Sequence, residues 1–278
     1  MEVKKSKREI MLISPEAMKK TIKKSCFVVE VVDAINPEGT RSIALEKIIR
    51  NFRKPYVLVL NRIDLVPSWV ANAWADHFKK SGIEVILTSA KRRTGKRELI
   101  EAIYSISEGC AFEEKIVGVI CGVPKTGKSS ILNMLRGKDS APTSPYPGKP
   151  GYTKSFTFYK VGENVYIYDS PGVFPDPRDK LERIIRSRPP EKILEPIRPS
   201  MEIIDIVKAL EPRRLEALYD VDPQKGNYEI LEDIAMKRGW VEKISKEPLV
   251  EESARRVIMD YLNGKLKIFR LPPKSSDL

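Results

Sequence analysis

The sequence predicts an α/β fold built on a mostly parallel six-stranded sheet, and three observations carry that prediction. Six short segments read as strands: residues 26–34, 56–62, 83–90, 115–122, 155–162 and 164–171. The first four are near-continuous runs rich in Val and Ile, as strands covered on both faces are. Helical periodicity fills residues 42–52, 68–81, 95–107 and 128–136. Strand alternating with helix makes a parallel sheet with right-handed crossovers. The last two strands alternate more and are joined by Val161-Gly162-Glu163-Asn164, a hairpin signal that adds one antiparallel edge.

After Phe174 the texture changes. PDPRDKLERIIRSRPPEKILEPIRPS (175–200) is punctuated by proline. Beyond it MEIIDIVKALEPRRLEALYD, NYEILEDIAMKRG and VEESARRVIMDYLNG place apolar residues three and four apart, with Asn263-Gly264 as a helix stop. Two domains are expected: an α/β domain over 1–177, with a basic N-terminal segment at 1–24, and a small, mostly helical domain over 178–278.

Composition narrows the function classes. The 278 residues contain no apolar run near 18, so no membrane span is expected, and no secretory signal is read at the N-terminus. Cys26, Cys110 and Cys121 lack metal-like spacing and read as buried thiols of a reducing, cytoplasmic protein. His77 is the single histidine, which argues against a histidine triad or a His-rich metal site. The formal charge of +12 points to a polyanionic partner. Residues 178–278 hold 21 Lys/Arg against 19 Asp/Glu, so nearly all the excess lies earlier, in the N-terminal lysines and in KRRTGKR (91–97).

GVPKTGKSS (122–130) lies between a strand and a helix, the context a phosphate-binding loop requires. Such a loop (Gly122, Val123, Pro124, Lys125, Thr126, Gly127, Lys128, Ser129, Ser130) aims backbone N–H groups at phosphate oxygens. Gly122 and Gly127 permit close approach, Lys128 reaches the β/γ oxygens, and Ser129 offers its hydroxyl to Mg²⁺. NVYIYDSPG (164–172) supplies Asp169 as a second metal contact and the Gly172 N–H as a γ-phosphate sensor. In LVLNRID, Asp64 can accept from N1–H and N2–H₂ of guanine, a donor pair that adenine lacks. Asn61 would tie this segment to the phosphate loop, and the Arg62 stem could cover the base. In LTSAK, with Ser89, Ala90 and Lys91, the Ala90 N–H could meet guanine O6.

These residues resemble those of circularly permuted GTPases of the YlqF/YawG group, within the translation-factor class. The likeness takes in VVDAINPEGTRS (31–42), NRID, TSAK, GVPKTGKSS, PGYT (150–153), DSPGV and RGWVEK…ARRVIMDYLNGKL (238–266). The base motifs precede the phosphate loop, an order specific to permuted GTPases. The resemblance implies a P-loop GTPase-like sheet with permuted strand order, GTP and GDP as ligands, and Mg²⁺ held by Ser129, Asp169 and Thr153. It assigns Thr153 to the first switch; with Lys128 and Gly172 from the motifs and Lys125 beside them, these are the candidate catalytic residues. It also implies a role in ribosome assembly, with ribosomal RNA of the large subunit as partner, no DNA, no membrane, and a monomer.

Two departures bear on mechanism. Val173 stands where many GTPases carry a water-orienting Gln, so intrinsic hydrolysis should be slow. Lys125 replaces the group's usual Asn, which is associated with bound K⁺. Its ammonium either takes the place of K⁺ or points to solvent or RNA. Two rivals remain: a GTP-regulated RNA-binding protein with negligible turnover, and a P-loop ATPase or kinase without guanine preference.

Overall fold

The computed structural model describes residues 15–110, 115–136, 157–162, 164–169 and 177–273. Thr153, Gly172, Val173 and the lysines before residue 15 lie outside them. The elements run α1 (Pro15–Lys24), β1 (Val28–Asp33), α2 (Ile43–Asn51), β2 (Tyr56–Asn61), α3 (Ser68–Lys80), β3 (Val85–Leu87), α4 (Lys96–Ser107), β4 (Ile116–Cys121) and α5 (Lys128–Leu135). They continue with β5 (Thr157–Lys160), β6 (Val165–Asp169), α6 (Lys180–Ser187), α7 (Ile197–Leu210), α8 (Arg213–Tyr219), α9 (Asn227–Lys237) and α10 (Val250–Leu262).

The described strands form one six-stranded sheet in the order β3-β2-β1-β4-β6-β5. All neighbours are parallel except β5 against β6, the hairpin edge. The chain travels outward from β1 to β3, then returns to the other side of β1 with β4. The topological switch point therefore lies between β1 and β4, where open α/β sheets bind ligands beyond the carboxyl ends of their strands. Register sets Asp33 beside Asn61 and Asp169 beside Ile120, while Cys121, the end of β4, stands beside Glu30, so β1 and β2 run about three residues past β4 and β6.

Alternation along each strand builds two apolar layers. Val57 and Val59, with Val29 and Val31, pack on Leu99 and Ile103 of α4 and Ile131 and Leu132 of α5. Leu58 and Leu60, with Val32, pack on Val70, Trp74 and Phe78 of α3. Trp74 and Phe78 are fully buried packing residues, whereas Trp69 is exposed and meets Phe269 edge-on.

The helices after residue 177 share the α3-side cluster. Leu181 and Ile185 of α6, Ile203 and Val207 of α7, and Val257 and Ile258 of α10 belong to it together with Leu58 and Leu60. Each such side chain contributes roughly 1.5–3 kcal/mol by leaving water. The segment after α10 closes over α3, with Trp74 Nε1 donating to the Arg270 carbonyl over 2.8 Å.

Two helices carry too few apolar residues to be seen in the sequence. In α1, Met18 and Ile22 bury one stripe among lysines; in α6, Leu181 and Ile185 do so between prolines. Asp179 caps α6, accepting from the Leu181 and Glu182 amides at 2.7 and 3.2 Å. The periodic stretch 201–220 is two helices, because Pro212 cannot continue α7 and instead opens α8.

Candidate functional site

Asn61 closes β2 and is buried. Its Nδ2 donates to the Thr126 carbonyl at 2.8 Å, while its Oδ1 accepts from Thr88 Oγ1 and the Ala90 N–H, both at 3.2 Å. One amide thus joins the ends of β2 and β3 to the loop after β4. Asp64 sits in the short 3-10 turn Ile63–Leu65, and its Oδ1 accepts the Ser89 hydroxyl at 2.6 Å. That bond fixes the carboxylate in the cleft it lines. The Ala90 N–H, expected at guanine O6, donates here to Asn61.

The loop from Gly122 to Lys128 joins β4 to α5. A Cβ at Gly122 would lie 2.6 Å from the Val31 carbonyl oxygen, and one at Gly127 would lie 2.2 Å from Asn61 Nδ2, at φ +92°. Both positions therefore exclude a side chain. Val123 and Thr126 are buried, and Thr126 Oγ1 donates to the Val123 carbonyl at 3.0 Å, bracing the loop from within. Lys128 and Ser129 open α5, where unbonded helix N–H groups favour an anion.

Ser129 offers a hydroxyl there, and Asp169 ends β6, the parallel neighbour of β4, one residue pair from the loop.

Asn61, Asp64, Ala90 and Gly127 border a cleft of about 550 Å³ at the switch point; Lys128 and Ser129 are not among its lining residues. Asn61, Arg62, Asp64, Ala90, Lys91, Lys125, Gly127 and Ser130 line one side; Pro190, Glu191, Met259, Leu262 and Asn263 close the other. Arg62 is left-handed at φ +68°. Its guanidinium donates to Asp33 at 2.5 Å, to the Leu262 carbonyl at 2.6 Å and, weakly, to the Lys125 carbonyl at 3.4 Å. Partial burial and the Arg186 charge hold the Lys125 ammonium below the ordinary lysine pKa, with Glu191 opposing.

Asp33, Glu182 and Arg186 are the neighbours that sequence reasoning missed as site residues. Arg186 is 2 % exposed and donates to Asp33 at 2.7 Å, Glu182 at 2.5 Å and the Pro124 carbonyl at 3.2 Å. Burial opposes its charge, but Glu182 and Asp33 hold the guanidinium above the usual arginine range. Asp33 lies in the quoted VVDAINPEGTRS stretch; nothing in the proline-rich sequence around Arg186 marks it.

Surface charge is unevenly available. Arg255 pairs with Glu251 and Glu252, and Arg256 and Lys265 with Asp260. Lys91, Arg92 and Arg93 are exposed beside the cleft.

Residues 117–225 match a family model described as 50S ribosome-binding GTPase. Nucleolar GTP-binding protein 2 of Yarrowia lipolytica is 32% identical over 262 residues, covering 93% of this chain and 51% of that protein. An uncharacterised GTP-binding protein of Methanocaldococcus jannaschii is 32% identical over 256 residues, covering 92% of this chain and 66% of that one. The chain spans about half the length of the nucleolar relative. In fold it is similar to GNP-bound YlqF from T. maritima, with a TM-score of 0.63 and 24% identity over 91% of this chain and 94% of that one. The strand order, the Gly122–Lys128 loop placed in the chain after β2 and β3, and these relatives agree: the chain belongs to the circularly permuted, YlqF-like GTPases.

Proposed function

We propose that the chain binds GTP and GDP, hydrolyses GTP slowly, and uses that cycle as a switch in assembly of a ribosomal particle, the large subunit being our reading. One observation carries it: Asn61 bonds both to the phosphate loop and to the strand end holding Ser89 and Ala90, with Asp64 oriented by Ser89 in the same cleft. Base reading and phosphate binding thereby share one ligand.

The loop amides from Val123 to Lys128 and the Lys128 ammonium would bind the β- and γ-phosphates. Ser129 and Asp169, joined by Thr153 when γ-phosphate is present, would hold Mg²⁺, which would supply positive charge beside the phosphates. The Gly172 N–H would meet the γ-phosphate. Val173 cannot orient water, so turnover waits on a partner. Lys125 borders the cleft and would place a fixed cation where other members of the group use K⁺.

Lys91, Arg92 and Arg93 are our choice for RNA contact, since they are exposed and, among the described residues, form no ion pair of the kind that occupies Arg255 and Arg256. Among the described residues no helix is long and apolar enough to cross a membrane. The cysteines form no disulfide, which supports a reducing compartment; the cytoplasm is the finer reading, while the Yarrowia relative is named nucleolar. We read the chain as a monomer.

Titration with guanine and adenine nucleotides, followed by co-sedimentation with separated ribosomal subunits in GTP, GDP and no nucleotide, tests the proposal. ATP held as firmly as GTP rejects the nucleotide assignment. Tight GTP binding with association to neither subunit rejects the ribosome and keeps the rest.

A further inference from the structure

We propose that Arg186 is a positioning residue for the phosphate loop, and that through it the C-terminal helices set how firmly nucleotide is held. The inference rests on the guanine-nucleotide reading of the cleft.

A loop that aims its N–H groups at phosphates turns carbonyls away from them, and those carbonyls need donors of their own. Two are held by arginines: Pro124 O by Arg186 at 3.2 Å, and Lys125 O by Arg62 at 3.4 Å. Both guanidiniums end on the same oxygen, Asp33 Oδ2, at 2.7 and 2.5 Å. One acceptor at the end of β1 thus aligns both donors behind the loop.

Each arginine is tied in turn to a C-terminal helix. Arg186 lies on α6 and is fixed by Glu182 Oε2 at 2.5 Å. Glu182 Oε1 accepts from Tyr261 of α10 at 2.5 Å and from Asn36 at 3.1 Å. Arg62 donates to the Leu262 carbonyl, one of the last of α10, which lacks a helical partner. Asp33, Glu182, Arg186 and Tyr261 are all buried, so water cannot replace a lost partner. The same layer supplies Pro190, Glu191, Met259 and Asn263 to the cleft's far wall. A partner that shifts α6 or α10 releases the Pro124 and Lys125 carbonyls and loosens the loop. By reciprocity, nucleotide binding seats those helices.

The test is stopped-flow release of a fluorescent GDP analogue from the full chain, beside thermal unfolding without nucleotide. The variants are E182Q/R186M, which removes one buried charge of each sign, Arg186→Lys and Tyr261→Phe. Release is read from bound, folded molecules, so lowered stability alone does not change it. E182Q/R186M is expected to release the analogue at least about tenfold faster, the scale of a lost bond to a charged donor, with Tyr261→Phe about two- to fivefold faster and Arg186→Lys between them. Lower melting temperatures with wild-type release in E182Q/R186M and Tyr261→Phe overturn the proposal and leave a purely structural network. If E182Q/R186M does not fold, Tyr261→Phe decides alone, and unchanged release overturns the proposal. A wild-type chain that does not bind the analogue refutes the nucleotide reading instead.

Discussion

The Asn61 side-chain amide donates to the Thr126 carbonyl over 2.8 Å, across 65 positions of chain. The contact joins the end of β2 to the loop after β4, which on the proposed reading bind the base and the phosphates. It also leaves no room at Gly127, where an added Cβ would stand 2.2 Å from Asn61 Nδ2.

Asn61→Ala removes the donor to Thr126 O and the acceptor for the Thr88 hydroxyl and the Ala90 N–H. Three buried or half-buried groups lose a partner, at about 1–3 kcal/mol for each that finds no substitute. The variant is expected to be less stable in urea by about 2 kcal/mol or more and to release GDP at least about tenfold faster. Unchanged release with an intact fold means the tether does not align the two halves of the site.

Asp64→Asn exchanges one carboxylate oxygen for an NH₂. Guanine presents donors at N1 and N2 to this position; xanthine presents an acceptor at C2 instead. A site built to pair with donors rejects an analogue lacking them by roughly 10⁴-fold, so the substitution should sharply lower GDP affinity and raise xanthosine diphosphate affinity. Competition titrations read both directions at once. An Asp64→Asn chain that still prefers GDP places the base elsewhere.

Much of the sheet was legible because its strands are local signals: Val/Ile runs bounded by turn residues, with one strongly marked hairpin. The motif residues were legible for a related reason, since a phosphate loop is contiguous and its glycines have no alternative. What stayed hidden was pairing at a distance. Nothing local says that Arg186 reaches Asp33, 153 positions earlier, because each alone reads as a solvated charge. The α6 stripe of Leu181 and Ile185 has too few members to rise above its lysines, arginines and flanking prolines. The sharing of one apolar cluster by β2, α3 and α10 was equally invisible, since an amphipathic helix shows which face is apolar but not what covers it.

Glu30 gives the fold a pH signature. It lies fully buried in β1, where Oε1 accepts the Ser42 N–H at 3.1 Å and Oε2 the Tyr56 hydroxyl at 2.6 Å; Arg41 and Glu46 are the nearby charges. Burial raises its pKa to about 7, against the opposing pull of Tyr56 and Arg41. The folded state thus holds its proton more tightly than the unfolded chain does. The stabilisation this brings is complete below the unfolded carboxylate range and is lost as pH rises through 7. Glu30→Gln cannot ionise, so the wild-type loss of stability between pH 5 and 8 should shrink by about 2–3 kcal/mol in the variant. The variant should also be the less stable protein at pH 5, because its NH₂ faces a donor. Denaturant unfolding at both pH values measures each effect, and parallel pH profiles refute the assignment.

Lys125 decides the cation question. Its backbone is left-handed at φ +66°, and its side chain borders the cleft beside Arg62 and Glu191. Charge develops between the β- and γ-phosphates during transfer, and a cation there stabilises the transition state more than the ground state. An ammonium on a tethered stem does this without binding an ion from solution. Wild-type turnover should therefore differ by less than about twofold between matched KCl and NaCl, whereas Lys125→Asn should slow by about tenfold or more in NaCl, the scale of one lost electrostatic contact. If the asparagine then coordinates K⁺, KCl restores part of that loss and NaCl does not. Strong potassium stimulation of the wild-type chain means the ammonium leaves the ion's place vacant and points instead to solvent or RNA.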